Sequence, residues 1–256
     1  MNIDKIAIKI NCFINKYLKS SNKVTAVDEE KKKEQNISVL ISNPRIKLIS
    51  ELHGNNCTVK RPNNWLSIIY FEQYRRLDEF ISNECKIIVN NSCEPSNLKK
   101  FCIGSVKNKC QIQQFKVGRK YIGNGIQLHF DGYDVKVSNL SKTNIFVHPF
   151  GLNLYHNKSH KKIYRVPPRS SLLIYSDLCF QQLLSQYLKN GHEDPRILEN
   201  TCKIRISFTL GWGEGHLYND ITTLPCWLEL KLHSPIEILN TVLGPSTTRP
   251  SPVIFR

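Results

Sequence analysis

From Trp65 onward the chain is cut into short runs in which apolar and polar residues alternate, and this punctuation constrains the fold more than any other feature. The runs are Trp65–Tyr70, Lys86–Val89, Gly125–Phe130, Val135–Val137, Ile145–Val147, Ile163–Val166 and Leu172–Tyr175, separated by turn signals such as Asp131-Gly132, Asn153 and Pro167-Pro168. A two-residue period sends successive side chains to opposite faces, so each run predicts a strand with one buried side. Many short strands at such spacing predict a mainly β chain closed into a sandwich or barrel.

Three segments break the two-residue period. After Asp177, which reads as an N-cap, Phe180, Leu183, Leu184, Tyr187 and Leu188 recur at helical spacing until Asn190-Gly191 stops the run. Asp194–Asn200 predicts a short second helix, and Pro235–Leu243 a third, closed by Gly244-Pro245. Ahead of the strands, residues 1–20 set Ile3, Ile6, Ile10, Phe13, Ile14, Tyr17 and Leu18 on one helical face with lysines opposite. Such a stripe packs on its own domain, on a partner, or on a membrane surface, and the sequence leaves these three open. The polar stretch that follows predicts a linker with a short strand at Ile37–Ile41. The expected organisation is therefore an N-terminal extension over 1–64, a folded domain over 65–243 and a flexible tail over 244–256.

Composition narrows the function classes. The hydrophobic fraction of 40% suffices for a real core. No apolar run is long enough to span a bilayer, and Asp4, Lys5 and Lys9 interrupt any secretory pattern. Nine cysteines are scattered without a C-x-x-C pair, which gives no support for zinc-ribbon or thioredoxin chemistry and predicts reduced thiols. The net charge of +15 points toward acidic partners or nucleic acid. The cations are dispersed, however; the densest runs are Lys31-Lys32-Lys33, set among glutamates, and His160-Lys161-Lys162. A basic nucleic-acid-binding protein using the extension and the surface lysines is thus the alternative functional reading. His148, His156 and His160 lie near one another, but no nucleophile elbow, phosphate loop or metal-spaced cluster accompanies them, so neither an enzyme nor a cofactor is expected.

One segment stands out within this frame. Ile204, Ile206 and Phe208 alternate into Gly211-Trp212-Gly213, and a polar loop then leads to Pro225-Cys226-Trp227 and a second alternating run. Bulky aromatics at both feet predict a long loop held rigidly on a β scaffold, a common place for recognition.

In order along the chain, several pieces resemble the C-terminal Mad homology 2 domain of the SMAD family. They are Trp65-Leu-Ser-Ile-Ile-Tyr-Phe-Glu, Phe101-Cys-Ile-Gly, Ile122-Gly-Asn-Gly-Ile-Gln-Leu, Asn144-Ile-Phe-Val, Val166-Pro-Pro, the helix from Asp177, Cys202-Lys-Ile-Arg-Ile-Ser-Phe, Gly211-Trp-Gly and Pro225-Cys-Trp-Leu-Glu-Leu. The resemblance spans about residues 65–243 and implies a β-sandwich with a three-helix bundle at one end and a loop-helix region at the other. It implies a non-enzyme that carries transforming growth factor-β-type signals between cytoplasm and nucleus, with type I receptor kinases, other SMAD proteins in homo- or hetero-oligomers, and transcription cofactors as partners. Residues 1–64 are too few for the family's N-terminal DNA-binding domain and lack its zinc ligands, so direct DNA binding is not implied.

The resemblance also assigns sites, and here the chain departs from the family. Gly211, Trp212, Gly213, Glu214, His216, Leu217, Tyr218, Asn219 and Asp220 fall in the family's long third loop, which touches receptor and phosphorylated partner. The phosphoserine pocket is degenerate: Leu210 stands for a lysine, Leu217 and Tyr218 for basic residues, and Arg165 alone keeps its charge. The terminal Ser-x-Ser is missing, and Ser251-Pro252 is the nearest candidate for a proline-directed kinase. Weak or absent phosphoserine capture is the expectation, since a phosphate dianion requires converging cationic donors. In the family's oligomer contact, two acids become Asn90 and Asn240 while the base remains as Lys100. An unpartnered Lys100 predicts a cost of about 1–3 kcal/mol and impaired or altered trimerisation.

Overall fold

The computed structural model describes residues 64–109, 113–190, 195–208 and 210–243. The expected helix over 1–20, the strand at Ile37–Ile41 and the tail 244–256 lie outside them. Seven alternating runs form strands: β1 (Leu66–Glu72), β3 (Lys86–Asn90), β5 (Ile126–Phe130), β6 (Asp134–Asn139), β7 (Ile145–Pro149), β8 (Tyr164–Val166) and β9 (Ser171–Ser176). The runs flanking the loop are β10 (Lys203–Phe208) and β11 (Trp227–Leu232). Two further strands carry no apolar alternation in sequence. β2 (Arg75–Ser82) is an exposed edge strand of mostly polar residues, and β4 (Lys100–Cys102) is a short parallel partner of β3.

The strands build two sheets, ordered β2-β1-β11-β10-β7-β8 and β4-β3-β5-β6-β9. The first is antiparallel throughout, with β11 inserted between β1 and β10 in the registers Ile68↔Leu230 and Ile204↔Leu230. One face of this sheet buries Ile68, Tyr70, Val147, Ile204, Ile206, Leu228 and Leu230, and the second sheet answers with Ile87, Val89, Ile126, Leu128, Val135 and Val137. Aromatic stacks join the two layers at their margins, Phe80 on Phe101 at 5.2 Å and Trp65 on Phe130 at 4.7 Å. Each aliphatic side chain buried this way contributes about 1.5–3 kcal/mol relative to exposure, which makes the two-sheet interior the main source of stability. The mainly β sandwich expected from the punctuation is the fold observed.

Helices gather at the Lys203 and Leu232 ends of the central strands. α3 (Asp177–Asn190) and α4 (Pro195–Thr201) match the expected first and second helices, and α5 (His233–Leu243) starts two residues before the expected Pro235. Pro235 at the third helical position loses nothing, because first-turn N–H groups lack intrahelical acceptors anyway. A fourth member was not read from the sequence: α2 (Phe150–Tyr155), which packs on both α3 and α4. At the opposite end of the same strands, the remaining helix α1 (Gln113–Ile122) packs beside the start of β11. Gly125, just after α1, has φ +70°, and a Cβ there would fall 1.7 Å from the Val89 carbonyl oxygen, so only glycine lets β5 start beside β3.

Candidate functional site

The recognition loop rests on residues that the strand period turns away from the main core. With Ile204, Ile206 and Phe208 inward, Ser207 must face out, and so must its cross-strand partners Phe146 and Trp227. Phe71, paired with Trp227, extends this row. The connection from Leu210 to Cys226 folds back over that row and creates a second, small core in which Trp212, Ile221 and Leu224 bury against Trp227. Phe71, Phe146, Ile163, Leu210 and Tyr218 pack around them, half-buried. Truncating an aromatic in such a cluster costs about 3–5 kcal/mol, enough to fix the loop as part of the fold.

Directional bonds set its path. The Trp227 ring stacks on Phe71 with centroids 4.1 Å apart, and its Nε1 donates to the Gln73 carbonyl at 2.7 Å. Gln73 N–H in turn donates to Leu224 O at 3.0 Å, which ties the loop's second foot to the β1–β2 hairpin. Asp220 caps the single turn Ile221–Thr223 by accepting from Thr222 N–H at 2.7 Å. Gly213 donates to Tyr218 O at 2.7 Å and closes the tip, with Gly213 and Gly215 at φ +78° and +79°, where a side chain would be strained. Leu217 is left at that tip 89% exposed, the most exposed large apolar side chain among the described residues.

Two histidines brace the loop against β7, His216 from the loop and His148 from the strand. The His216 imidazole lies directly over Gly211, where a Cβ would meet it at 2.3 Å, and its edge meets the Phe146 ring at 5.6 Å. His148 stands edge-on to Trp212 at 6.4 Å, and its Nε2 lies 2.6 Å from the His160 carbonyl oxygen. A carbonyl only accepts, so Nε2 carries the hydrogen. Burial holds the His148 pKa below its ordinary value, with the nearby Arg205 and His160 charges acting the same way against the bond to His160 O.

A buried polar clamp secures the foot at β11. Glu72 is fully buried and receives Arg119 Nε at 2.5 Å, the Tyr70 hydroxyl at 2.8 Å and Asn108 Nδ2. Arg119, on α1, also donates to the carbonyls of Ile103 and Val106 and sits over the Tyr70 ring. Tyr70 O–H lies 3.3 Å from Cys226 Sγ; burial raises the tyrosine pKa well above its usual range and pushes the Cys226 thiol up to about 12. Cys226 is therefore an inert packing residue. One turn of α1 sits tight against it: a Cβ on Gly118 would approach Cys226 Sγ at 2.9 Å and Pro225 Cβ at 3.0 Å.

The residues assigned in sequence fall out as follows. Gly211, Trp212, Gly213, Glu214, His216, Leu217, Tyr218, Asn219 and Asp220 form one continuous loop, with Trp212 buried inside it and Glu214, His216, Leu217 and Asn219 exposed. Of the four positions expected at the degenerate phosphate pocket, Leu210 and Tyr218 turn into the apolar cluster beside Ile163, Leu217 turns out, and Arg165 is exposed opposite Phe146. Asn90 and Lys100 lie on the neighbouring strands β3 and β4, whereas Asn240 stands half-buried on α5. The expectation that Lys100 would be left without a partner is corrected: its Nζ pairs with Glu94 Oε2 at 2.5 Å within the same chain. The intervening loop curls back through Ser96 Oγ, which accepts from Cys102 N–H, and so brings Glu94 to the strand it precedes. Phe71, Phe146, His148 and Ile163, all essential to the loop's seat, were not assigned; outward phase on strands already predicted is the signal that marks Phe71 and Phe146.

A two-sheet scaffold presenting a braced loop with an exposed apolar tip is a protein-binding module. Residues 63–233 match the family model of the MH2 domain, and the chain belongs to that family, whose members are non-catalytic interaction domains of signalling. Among solved structures it is similar to the crystal structure of the interferon regulatory factor 9 IAD domain, at a TM-score of 0.54 and 9% identity over 75% of this chain and 94% of that one. It is also similar to a chain in the crystal structure of STAT2 in complex with IRF9, at a TM-score of 0.51 and 10% identity over 71% of this chain and 98% of that one. At such identities these likenesses show the fold alone. Among the described residues, no helix is long and apolar enough to cross a membrane, and no three His, Cys, Asp or Glu side chains group to hold a metal ion.

Proposed function

We propose that this protein is a non-catalytic modulator of transforming growth factor-β-type signalling. In this reading it acts in cytoplasm and nucleus, binding type I receptor kinases, other SMAD proteins and transcription cofactors through the Leu210–Cys226 loop. It does so without the family's phosphoserine switch and without direct DNA contact. The observation that carries the reading is the seat of the loop. Leu210 and Tyr218, at positions where phosphate capture needs cations, are half-buried in an apolar cluster, while Leu217 offers an apolar knob instead. Apolar and aromatic anchors serve constitutive association; converging cations serve a phosphate-gated one.

The test is capture of receptor kinase domains and SMAD proteins of the same organism, with active and kinase-dead receptor side by side. Binding that is independent of kinase activity, and lost in Leu217→Asp, is the expected result. Binding seen only with active kinase, or tight capture of a doubly phosphorylated Ser-x-Ser peptide, overturns the reading. Light scattering adds the oligomeric state: altered assembly is expected, and a stable homotrimer at micromolar concentration argues for the ordinary family contact.

A further inference from the structure

We infer that the loop joining α2 to β8 is a docking surface for a carboxylate-rich protein segment. Between Val135 and Ser176 the chain carries seven Lys and Arg and no Asp or Glu. In the fold the densest of these cations come together on one turn: Lys158, Lys161 and Lys162 are exposed, as is Arg165 on β8. Among the described residues, none of these four cations forms an ion pair, unlike Arg76, Lys100, Arg119 and Arg205. Lys158 Nζ and Lys162 Nζ stand 5.7 and 5.3 Å from the centre of one ring, Tyr164.

Repulsion alone would spread such side chains over a loose loop, yet this backbone is pinned at every step. Lys158 N–H donates to Asn153 O at 2.9 Å, and Lys162 N–H to Ser159 O at 2.9 Å. The His160 carbonyl accepts from His148, and the Lys162 carbonyl accepts from Nδ2 of the fully buried Asn153 at 2.8 Å. The lysines are thus presented on a fixed frame, which lowers the ordering cost of binding and leaves their charge to be neutralised by a partner.

Position and chemistry favour a peptide of carboxylates over a phosphate backbone. Ile163, inside this stretch, packs into the small core under the recognition loop, so the cations border the loop that carries Leu217. A partner alternating acidic and apolar residues satisfies both features. Nucleic acid would meet exposed Glu214 on the same loop and a basic turn too short for the six to ten phosphate contacts of a typical duplex binder. Lys158, Lys161 and Lys162 supply single charges distributed around a turn, suited to separate carboxylates, whereas a phosphate dianion is best held by converging guanidinium forks. The lysine turn makes this demand whichever signalling pathway the domain serves.

The experiment is a fluorescence anisotropy titration of the full chain with a fluorescein-labelled (Asp-Glu-Leu)4 peptide at low and physiological salt. The comparison is between K158E/K161E/K162E and the charge-matched control K86E/K116E/K120E, whose lysines are exposed elsewhere; circular dichroism verifies that both fold. The expected result is salt-sensitive binding, weakened roughly tenfold or more by the first triple variant and less than about threefold by the control. No binding to the wild type, or equal loss in both variants, overturns the proposal. So does a 20-base-pair duplex DNA that binds more tightly than the peptide through the same three lysines.

Discussion

Replacing Arg119 with methionine isolates the clamp beneath the recognition loop. Methionine keeps an aliphatic stem, removes every donor and takes the guanidinium away from the Tyr70 ring. Among the described residues, Glu72, fully buried, would keep only the Tyr70 hydroxyl and Asn108 as partners, and the carbonyls of Ile103 and Val106 would each lose Arg119 as a donor. Breaking a buried pair by removing one member costs about 3–5 kcal/mol, because the remaining charge stays desolvated. The Arg119 side chain is 17% exposed, so water entry relieves some of this, and about 3 kcal/mol is the expected loss. Glu72→Gln should cost somewhat less, since the amide still accepts from Tyr70. In the double variant neither charge is orphaned, and the two losses should fall short of additivity by about 2 kcal/mol. Urea denaturation followed by tryptophan fluorescence measures all four corners of the cycle. A loss under about 1 kcal/mol for Arg119→Met, or strict additivity, would refute the claim that this pair holds α1 to the loop's second foot.

Three other outcomes follow from the site. Because burial depresses the His148 pKa, the unfolded chain binds a proton that the fold resists, so stability falls as pH drops from about 7 to 5; His148→Asn should flatten that slope in urea midpoints, and an unchanged slope would assign it to another group. Ser207 has a buried Oγ with no hydrogen-bond partner among the described residues, so Ser207→Ala should be neutral or stabilising by up to about 1 kcal/mol, where a clear destabilisation would reveal an unseen acceptor or donor. Gly125→Ala forces a Cβ onto the Val89 carbonyl at positive φ and should cost about 3 kcal/mol or more, read as a large drop in melting temperature; a near-native value would mean that β3 and β5 are not held as described.

The sandwich was legible because its central strands bury one face, and burial writes a two-residue period into the sequence. β2 escaped detection for the same reason in reverse: as an edge strand with both faces largely wet, Arg75-Arg-Leu-Asp-Glu-Phe-Ile-Ser has no period to display. α1 escaped because Gly118 and Arg119 interrupt the apolar face that Phe115 and Ile122 mark, and the glycine is there to let Cys226 and Pro225 approach. The loop's frame was readable from Trp212 and Trp227, but its partners were not. Glu72 and Arg119 are 47 residues apart and carry no local mark of belonging together. Glu94 likewise gives no sequence sign that it reaches Lys100, because a loop that curls back is set by hydrogen bonds such as that to Ser96 and not by spacing.

The place of β11 between β1 and β10 bears on synthesis as well as on shape. β1 is made more than 150 residues before its neighbour, and β10 waits through the whole recognition loop for its second partner. Until Trp227–Leu232 clears the ribosome, the larger sheet can form only as two separate pieces, β2-β1 and β10-β7-β8, each with an open edge. A nascent chain in that state is the form most exposed to mispairing and to chaperone capture, and slow translation through 210–226 would prolong it. Insertion of this one strand joins the two pieces and brings in Trp227, against which the loop packs.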